Sequence, residues 1–359
     1  MKFEDSAANI LSQFLEFDQF ISTNKLGNGH IHQTYLVKVQ TAQDSQQYVL
    51  QQINNQIFTN PFTLMQNLDK VVNHLTQKKD YSLAILSPIK TYKGKLCFHT
   101  AGDKYWRLFP YFENTITYSG AISPRQAFHT ANAFGQFANA LSDFPSENLI
   151  STISDFHNSL KRYDSYKQVL TEADQTRLDE AHAILTFLEK NAKIFDVIQA
   201  LSLPKRVVHN DTKIDNVLMN KETGKGYCVI DLDTVMPDTI LVDFGDMVRT
   251  FTNSEVEDST DYQSVESRIE IFEAMCKGYL SEVKNMLIAV EKENLLEGAK
   301  WIILEQCLRF LTDYLANDIY YPIKYPNHNL VRATNQMHLF QSINQQEKQM
   351  NAIITKSLI

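Results

Sequence analysis

VVHNDTKIDNVL, residues 207–218, is apolar at both ends and polar in between. Val207, Val208, Val217 and Leu218 suit a core, yet His209, Asn210, Asp211, Lys213, Asp215 and Asn216 are crowded between them. Leaving such groups unpaired out of water costs roughly a few kcal/mol each, so the stretch is expected where its polar groups are used. Read as His209-x-Asp211-x4-Asn216, and followed by an apolar run ending in Asp231-Leu232-Asp233, it has the layout of a phosphoryl-transfer site. Such chemistry passes through a loose transition state, and the protein mainly positions reactants and neutralises charge. The Asp211 carboxylate would accept or orient the proton of the attacking hydroxyl, and Asn216 and Asp231 would offer hard oxygen ligands to Mg2+ bridging the phosphates of ATP. His209 would brace the loop by hydrogen bonding. Taken singly, Asp211 and Asn216 read equally well as Asx turns in a hairpin; the combination decides for the catalytic reading.

Working outward, the chain divides in character. Residues 25–40, 47–54, 95–100 and 105–112 are rich in β-branched and aromatic residues and separated by turn formers such as Lys93-Gly94, which predicts a small antiparallel sheet. One helix interrupts it, with Leu64, Leu68, Val71, Val72 and Leu75 on one face. After Phe112, residues 124–142, 157–200, 264–289, 293–318 and 331–357 have helical periodicity, broken by strand-like stretches around 207–234. The expected organisation is a β-rich N-lobe over 1–112 that covers a nucleotide and a mostly helical C-lobe over 113–359 that carries the catalytic loop, the metal site and the substrate site.

Composition narrows the partners. The chain has 359 residues, 43% hydrophobic and 21% charged, with a net charge of −8 and no basic cluster, so nucleic acid is not an expected partner. No apolar run is long enough for a membrane span. The acidic, amphipathic start MKFEDSAANILSQFLEF lacks the pattern of a secretory signal, and Cys97, Cys228, Cys276 and Cys307 form no CxxC pair. Reduced core thiols in a cytoplasmic protein are expected.

Two features depart from the protein-kinase pattern. Gly27-x-Gly29 lies between strand-like segments, where backbone amides can approach phosphates, but His32 stands where the third glycine would be. The kinase lysine of the third strand is replaced as well, since Tyr48-Val49-Leu50 is followed by Gln51. Either Gln51 or Gln52 then contacts phosphate, or another basic residue reaches in. Asp243-Phe244-Gly245 spells the kinase metal motif, but it lies too far along the chain from Asp211, and Asp231 already occupies the metal position. Asp243, Asp246 and Arg249 are therefore expected in structural roles.

These residues resemble the aminoglycoside phosphotransferase and choline kinase superfamily, whose fold is a protein-kinase-like pair of lobes of the α+β class. Within it the chain looks most like N-acetylhexosamine 1-kinases, through GNGHIHQTYLV, YVLQQIN, WRLFPYFENTITY, HNDTKIDNVL, VIDLDTVMPDTILVDFGD and LRFLTDYLANDIYY, spread from residue 25 to about residue 321. The resemblance implies ATP-dependent phosphorylation of the anomeric hydroxyl of N-acetylglucosamine or N-acetylgalactosamine, in carbohydrate metabolism, with Asp211 at that hydroxyl and Asn216 and Asp231 on Mg2+. For the sugar, the candidates are His30, Asp233 and Arg309; Arg309 reads equally well as an internal salt bridge to Asp313 or Glu305. The connector at Tyr111 and Phe112 is the expected place for adenine, with Gly27, Gly29 and Gln51 nearer the phosphates. Alternative acceptors are choline, ethanolamine, homoserine, methylthioribose or an aminoglycoside. A cationic acceptor would call for an acidic or aromatic cage, for which the loop SEVEDSTDY at 254–262 is a candidate source. A nucleotide-binding pseudokinase is the non-enzymatic alternative.

Overall fold

Apolar side chains two residues apart build the first layer. Val37 and Val39, and across from them Leu50, Trp106 and Leu108, turn to one face of a sheet and bury against Ala7, Ile10 and Leu11 of an N-terminal helix and Phe14 just after it. The computed structural model describes residues 3–27, 31–120 and 122–359. In it, helix α1 (Phe3–Leu11) precedes strands β1 (Gln19–Lys25), β2 (Gln33–Gln40) and β3 (Ser45–Ile53), helix α2 (Pro61–Thr76), and strands β4 (Phe98–Thr100) and β5 (Lys104–Pro110). The strands form one antiparallel sheet in the order β1-β2-β3-β5-β4. Helix α2 starts at Asn60, whose side chain accepts the Thr63 backbone N–H at 3.1 Å, with Pro61 in the first turn. Its buried face contains Leu64, Leu68, Val71, Val72 and Leu75, as the sequence periodicity predicts.

A short strand β6 (Thr115–Ile116) leaves the N-terminal sheet and pairs instead with the C-terminal part. The remaining helices are α3 (Pro124–Ala140), α4 (Ser159–Glu172), α5 (Gln175–Glu180), α6 (His182–Asn191) and α7 (Lys193–Ala200). Next come strands β7 (Arg206–Val208), β8 (Val217–Asn220), β9 (Gly226–Val229) and β10 (Met236–Asp238). Helices α8 (Ile240–Thr252), α9 (Ile269–Val283), α10 (Ala289–Glu293), α11 (Leu295–Leu315) and α12 (His328–Leu358) complete the chain. Strand β8 sits between β6 and β9, and β10 pairs with β7, so two small sheets frame the polar loop of 209–216. This is the α+β, protein-kinase-like arrangement expected from the sequence.

Several element boundaries differ from expectation, for identifiable reasons. The first strand is Gln19–Lys25, ahead of the predicted start at residue 25, and its half-exposed polar pattern carries little hydrophobic signal. The stretch 157–200 is four helices, one break being set by Asp174, which caps α5 through the Thr176 N–H. Helix α8 is absent from the predicted set because it is buried nearly all round, which erases the one-sided apolar stripe. The four cysteines are free and buried, and Leu339, Ile343 and Met350 make α12 a packed helix. Among the described residues no helix is long and apolar enough to cross a membrane.

Gly245, the glycine of the misplaced Asp-Phe-Gly, sits where α8 crosses α11. A Cβ there would lie 2.8 Å from the Gly298 carbonyl oxygen and 2.8 Å from Ile302 Cγ1. Overpacking of this kind costs about 1–3 kcal/mol, more than the roughly 1 kcal/mol that alanine gains over glycine in a helix. Gly245→Ala is therefore expected to lower the thermal midpoint by a few degrees; an unchanged or raised midpoint in a melting curve would show that the crossing has slack.

Candidate active site

The loop 209–216 leaves β7 and enters β8, and its shape is imposed by partners on three elements. Asn210 adopts a left-handed backbone with φ of 65°, a conformation asparagine tolerates better than most residues. The Asp243 carboxylate, in the first turn of α8, accepts the backbone N–H groups of His209 at 2.9 Å and Asn210 at 2.8 Å. The Thr212 hydroxyl donates to the Asp243 carbonyl at 2.7 Å, and Thr234 donates to the His209 carbonyl at 2.8 Å. His209 Nε2 donates to the carbonyl of Ile230 at 3.0 Å, and the Ile230 N–H donates to the carbonyl of Asn216 at 2.9 Å. His209 thus ties the loop to the residue before Asp231, the bracing role expected of it, while its ring packs against Phe134 and Phe137. Burial pushes the Asp243 carboxyl up to about 6, against the pull of His209 and of the two amides it accepts.

Within this frame Asp211 and Asn216 meet directly. Asn216 Nδ2 donates to the Asp211 carboxylate at 3.0 Å and to its backbone carbonyl at 2.8 Å. Lys213, two residues along, places its ammonium 2.8 Å from the other Asp211 oxygen, with 45% of its side chain exposed. Burial works to raise the Asp211 carboxyl, but the Lys213 charge outweighs it and holds the group below its ordinary value. Asp211 is therefore ionised at neutral pH.

Asp231 ends the apolar strand in a left-handed conformation, φ 57° and ψ 56°, and opens a 3-10 turn over Leu232–Thr234. Burial, and then the like charges of Asp233 and Asp211, push its carboxyl up to about 6. Despite these crowded surroundings Asp231 keeps an exposed surface, and a carboxylate set beside like charges with one side open is short of a cation. Asn216 and Asp231, brought together through the Ile230 link, fit the one or two oxygen ligands that a protein lends to Mg2+ whose other ligands are phosphate and water. Among the described residues no group of three or more His, Cys, Asp and Glu is placed to hold a metal ion.

Asp233 and Gln51 are placed differently from the sequence expectation. Asp233, assigned there to the sugar, is 3% exposed and accepts both terminal nitrogens of Arg107, at 2.5 and 2.7 Å, together with His32 Nε2 at 2.5 Å. Burial opposes its ionisation, but Arg107 and His32 hold the carboxyl well below the usual carboxylate range. Gln51, assigned to phosphate, accepts Arg107 Nε at 3.0 Å and donates to Thr34 Oγ1 at 2.9 Å, so both ends of its amide are occupied. The basic residue beside Gln51 is Arg107, and its fork is turned to Asp233. It stands opposite Gln51 in the β3–β5 register, and strand alternation places it on the same face, so the pairing of 47–54 with 105–112 was the signal that could have found it. Lys213 was visible in the motif itself, two residues after Asp211.

Arg309 pairs with neither expected carboxylate. Asp313 accepts the backbone N–H groups of Tyr320 and Tyr321 at 2.8 and 2.9 Å, and Glu305 accepts from Ser159 and pairs with His157 at 2.8 Å. The Arg309 guanidinium donates to Gln306 at 3.3 Å and lies 5.5 Å from the Phe156 ring and 5.7 Å from the Tyr321 ring. Gly27 takes φ of 71° in the turn between β1 and β2, the left-handed region that favours glycine; Gly29 and His30 lie outside the described residues. Tyr111 and Phe112 form the connector after β5, where the Phe112 carbonyl accepts the Thr115 hydroxyl at 2.7 Å and its ring meets Tyr227 edge-on.

A two-lobed, protein-kinase-like fold with this loop is that of a small-molecule phosphotransferase. The chain belongs to the phosphotransferase enzyme family, whose profile matches residues 22–267. Among solved structures it is similar to a microcompartment-associated aminopropanol kinase, with a TM-score of 0.58 and 14% identity over 97% of this chain and 98% of that one. It is also similar to the choline kinase of Cryptosporidium parvum Iowa II, with a TM-score of 0.56 and 12% identity over 99% of both chains. A spectinomycin phosphotransferase in complex with ADP and spectinomycin gives a TM-score of 0.53 and 14% identity over 90% of this chain and 93% of that one. At these identities the likeness is one of fold.

Because two buried amides end on Asp243, Asp243→Ala is expected to cost about 1–3 kcal/mol for each donor left unsatisfied. Urea unfolding checks this; a variant within about 0.5 kcal/mol of the parent would mean that the loop finds other acceptors.

Proposed function

We propose that the protein transfers the γ-phosphoryl group of ATP to the anomeric hydroxyl of an N-acetylhexosamine, N-acetylglucosamine or N-acetylgalactosamine, giving the sugar 1-phosphate and ADP. Residues 1–112 serve as the nucleotide-covering lobe and 113–359 as the catalytic and acceptor lobe, with Gly27 and Gly29 near the phosphates and the Tyr111–Phe112 connector near adenine. Asp211 orients the attacking hydroxyl and takes its proton as the new O–P bond forms and the bond from Pγ to the β,γ-bridging oxygen breaks. Its depressed basicity suits a loose transition state, in which the proton leaves late and positioning matters more than base strength. Mg2+ held by Asn216 and Asp231 supplies charge neutralisation at the phosphates. Lys213, exposed toward the same side of Asp211, adds the cation that the kinase lysine would give.

The observation that carries the choice of acceptor is the charge around Arg309. Its guanidinium feels the charge of Glu305 without a salt bridge to it and lies among aromatic rings, which suits an acyl oxygen or sugar hydroxyls. In the acidic loop 254–262, the candidate cage for a cationic acceptor, Glu257 and Asp258 are already ion-paired. Glu257 pairs with Arg249 at 2.9 Å and Arg332 at 3.9 Å, and Asp258 with Lys324 at 2.9 Å and His328 at 3.3 Å. His30, following the glycine pair, is proposed to complete the sugar site with Arg309. The ionised Asp211 and the paired Asn216 favour a working enzyme over a pseudokinase.

Release of ADP from MgATP, followed with a panel of N-acetylated sugars, amino alcohols and aminoglycosides, tests this reading. Acceleration by N-acetylhexosamines alone supports it, and acceleration by amines alone overturns it. Asp211→Asn is expected to reduce turnover at least 100-fold, on the scale of lost general-base catalysis, while calorimetry still shows MgATP binding. The pH profile gives a separate check. Asp231, pushed up to about 6, must be ionised to take Mg2+, whereas Asp211 is held below its ordinary value by Lys213 and ionises at lower pH, so Asp231 sets the acid limb of kcat/KM and Lys213→Met is expected to leave that limb in place. A limb that moves with Lys213→Met would instead make Asp211 the group that sets it.

A further inference from the structure

At the position of the kinase lysine, the structure builds a bridge in place of a phosphate contact. Thr34 on β2, Gln51 on β3 and Arg107 on β5 are neighbours across the sheet, joined in a row by side-chain hydrogen bonds of 2.9 and 3.0 Å. The row ends on Asp233 in the C-terminal lobe, through the two-pronged contact of the Arg107 guanidinium. His32 reaches the same carboxylate from β2's leading edge. Its Nδ1 accepts the Asn54 backbone N–H at 3.1 Å, which leaves the proton on Nε2 and directed at Asp233, and its ring stacks on Phe58. The carbonyl of Asp233 is held in turn by the Thr152 hydroxyl at 2.8 Å. Arg107, His32 and Asp233 have side chains only 3%, 6% and 3% exposed, so this is an anchored crossing between lobes and leaves no room for a nucleotide phosphate on Arg107.

We propose that Arg107 and His32 are positioning residues for the metal site, acting through Asp233. Asp233 lies two residues beyond Asp231, inside the single 3-10 turn that follows it. Fixing both carboxylate oxygens and the carbonyl of Asp233 fixes that turn, and with it the left-handed backbone from which the Asp231 side chain projects. The clasp also sets how closely the sheet covers the phosphates before any nucleotide arrives. In a protein kinase one lysine contacts phosphate and pairs with a helix glutamate; here the cation across from that position spends its charge on the strand end that carries the metal ligand. Neutralising both members of the pair separates positioning from mere stability, because the double variant leaves no unmatched buried charge.

The inference rests on the nucleotide reading above, so its test reads nucleotide binding without any acceptor. The full chain and the variants Arg107→Gln, Asp233→Asn and Arg107→Gln/Asp233→Asn would be compared by thermal unfolding and by calorimetric titration of ADP over a range of Mg2+ concentrations. The single variants are expected to lose thermal stability and the double variant to regain much of it. The double variant is nevertheless expected to need at least about tenfold more Mg2+ for half-maximal ADP affinity, the scale on which supporting residues act on metal sites. A folded double variant with the parent's Mg2+ dependence would overturn the proposal. Should the double variant not fold, Arg107→Lys keeps the charge but loses the fork; an unchanged Mg2+ requirement there would overturn it equally. Absence of Mg2+-dependent ADP binding in the parent protein would instead overturn the nucleotide reading, and the clasp's role with it.

Discussion

A buried ion pair between the lobes is the constraint on which the site depends. Arg107 and Asp233 are both nearly excluded from water, and removing one partner of such a pair typically costs about 3–5 kcal/mol because the other is left uncompensated. The pair is no cheap source of stability, since apolar residues of similar volume often do as well. What it gives is a fixed geometry: a planar guanidinium held by Gln51 on one side and matched to both oxygens of one carboxylate on the other. The sheet cannot slide over the C-terminal lobe at this point without breaking two charge-assisted bonds.

From that anchor the site divides its carboxylates by environment. Asp233 has the Arg107 guanidinium on both oxygens and the His32 N–H on one of them, and stays ionised. Asp231, two residues away, faces like charges and is pushed up to about 6. Asp211 has one lysine and one amide beside it and is ionised but not saturated. Three identical groups thereby take up different electrostatic states, one paired on both oxygens, one facing like charge and one beside a single lysine, each set by its neighbours. Asp243 adds a fourth character, since its two oxygens receive backbone amides and shape the loop itself.

Much of this was legible in the sequence wherever a residue's role depends on local spacing. The polar loop of 209–216, the apolar strand that leads to Asp231, the amphipathic face of α2 and the α+β order of elements all follow from patterns within about 20 residues. What could not be read locally is which side chains meet across strands or lobes. Asp233 shares a strand face with Asp231 in the sequence pattern, which suggested the substrate, but the 3-10 turn after Asp231 rotates it toward Arg107, on a strand more than a hundred residues earlier. Helix α8 was hidden for the opposite reason: burial on all sides removes the contrast that periodicity needs. Arg309 kept two readings because a salt bridge at helical spacing is always available on paper. Here Asp313 is instead committed to the backbone of Tyr320 and Tyr321.

Gln51 stands where a lysine would not fit beside Arg107. An ammonium at that position would sit beside the Arg107 guanidinium, whose Nε hydrogen bond requires an acceptor there. Like charges in this dry setting would repel, and Arg107 would lose the contact that orients its fork toward Asp233. A glutamine supplies the acceptor through its carbonyl and uses its amide on Thr34, remaining neutral and fully paired. The substitution that makes the chain look like a defective kinase is therefore what the arginine requires. The cation was moved one strand over, and the residue left behind was chosen by hydrogen bonding to hold it.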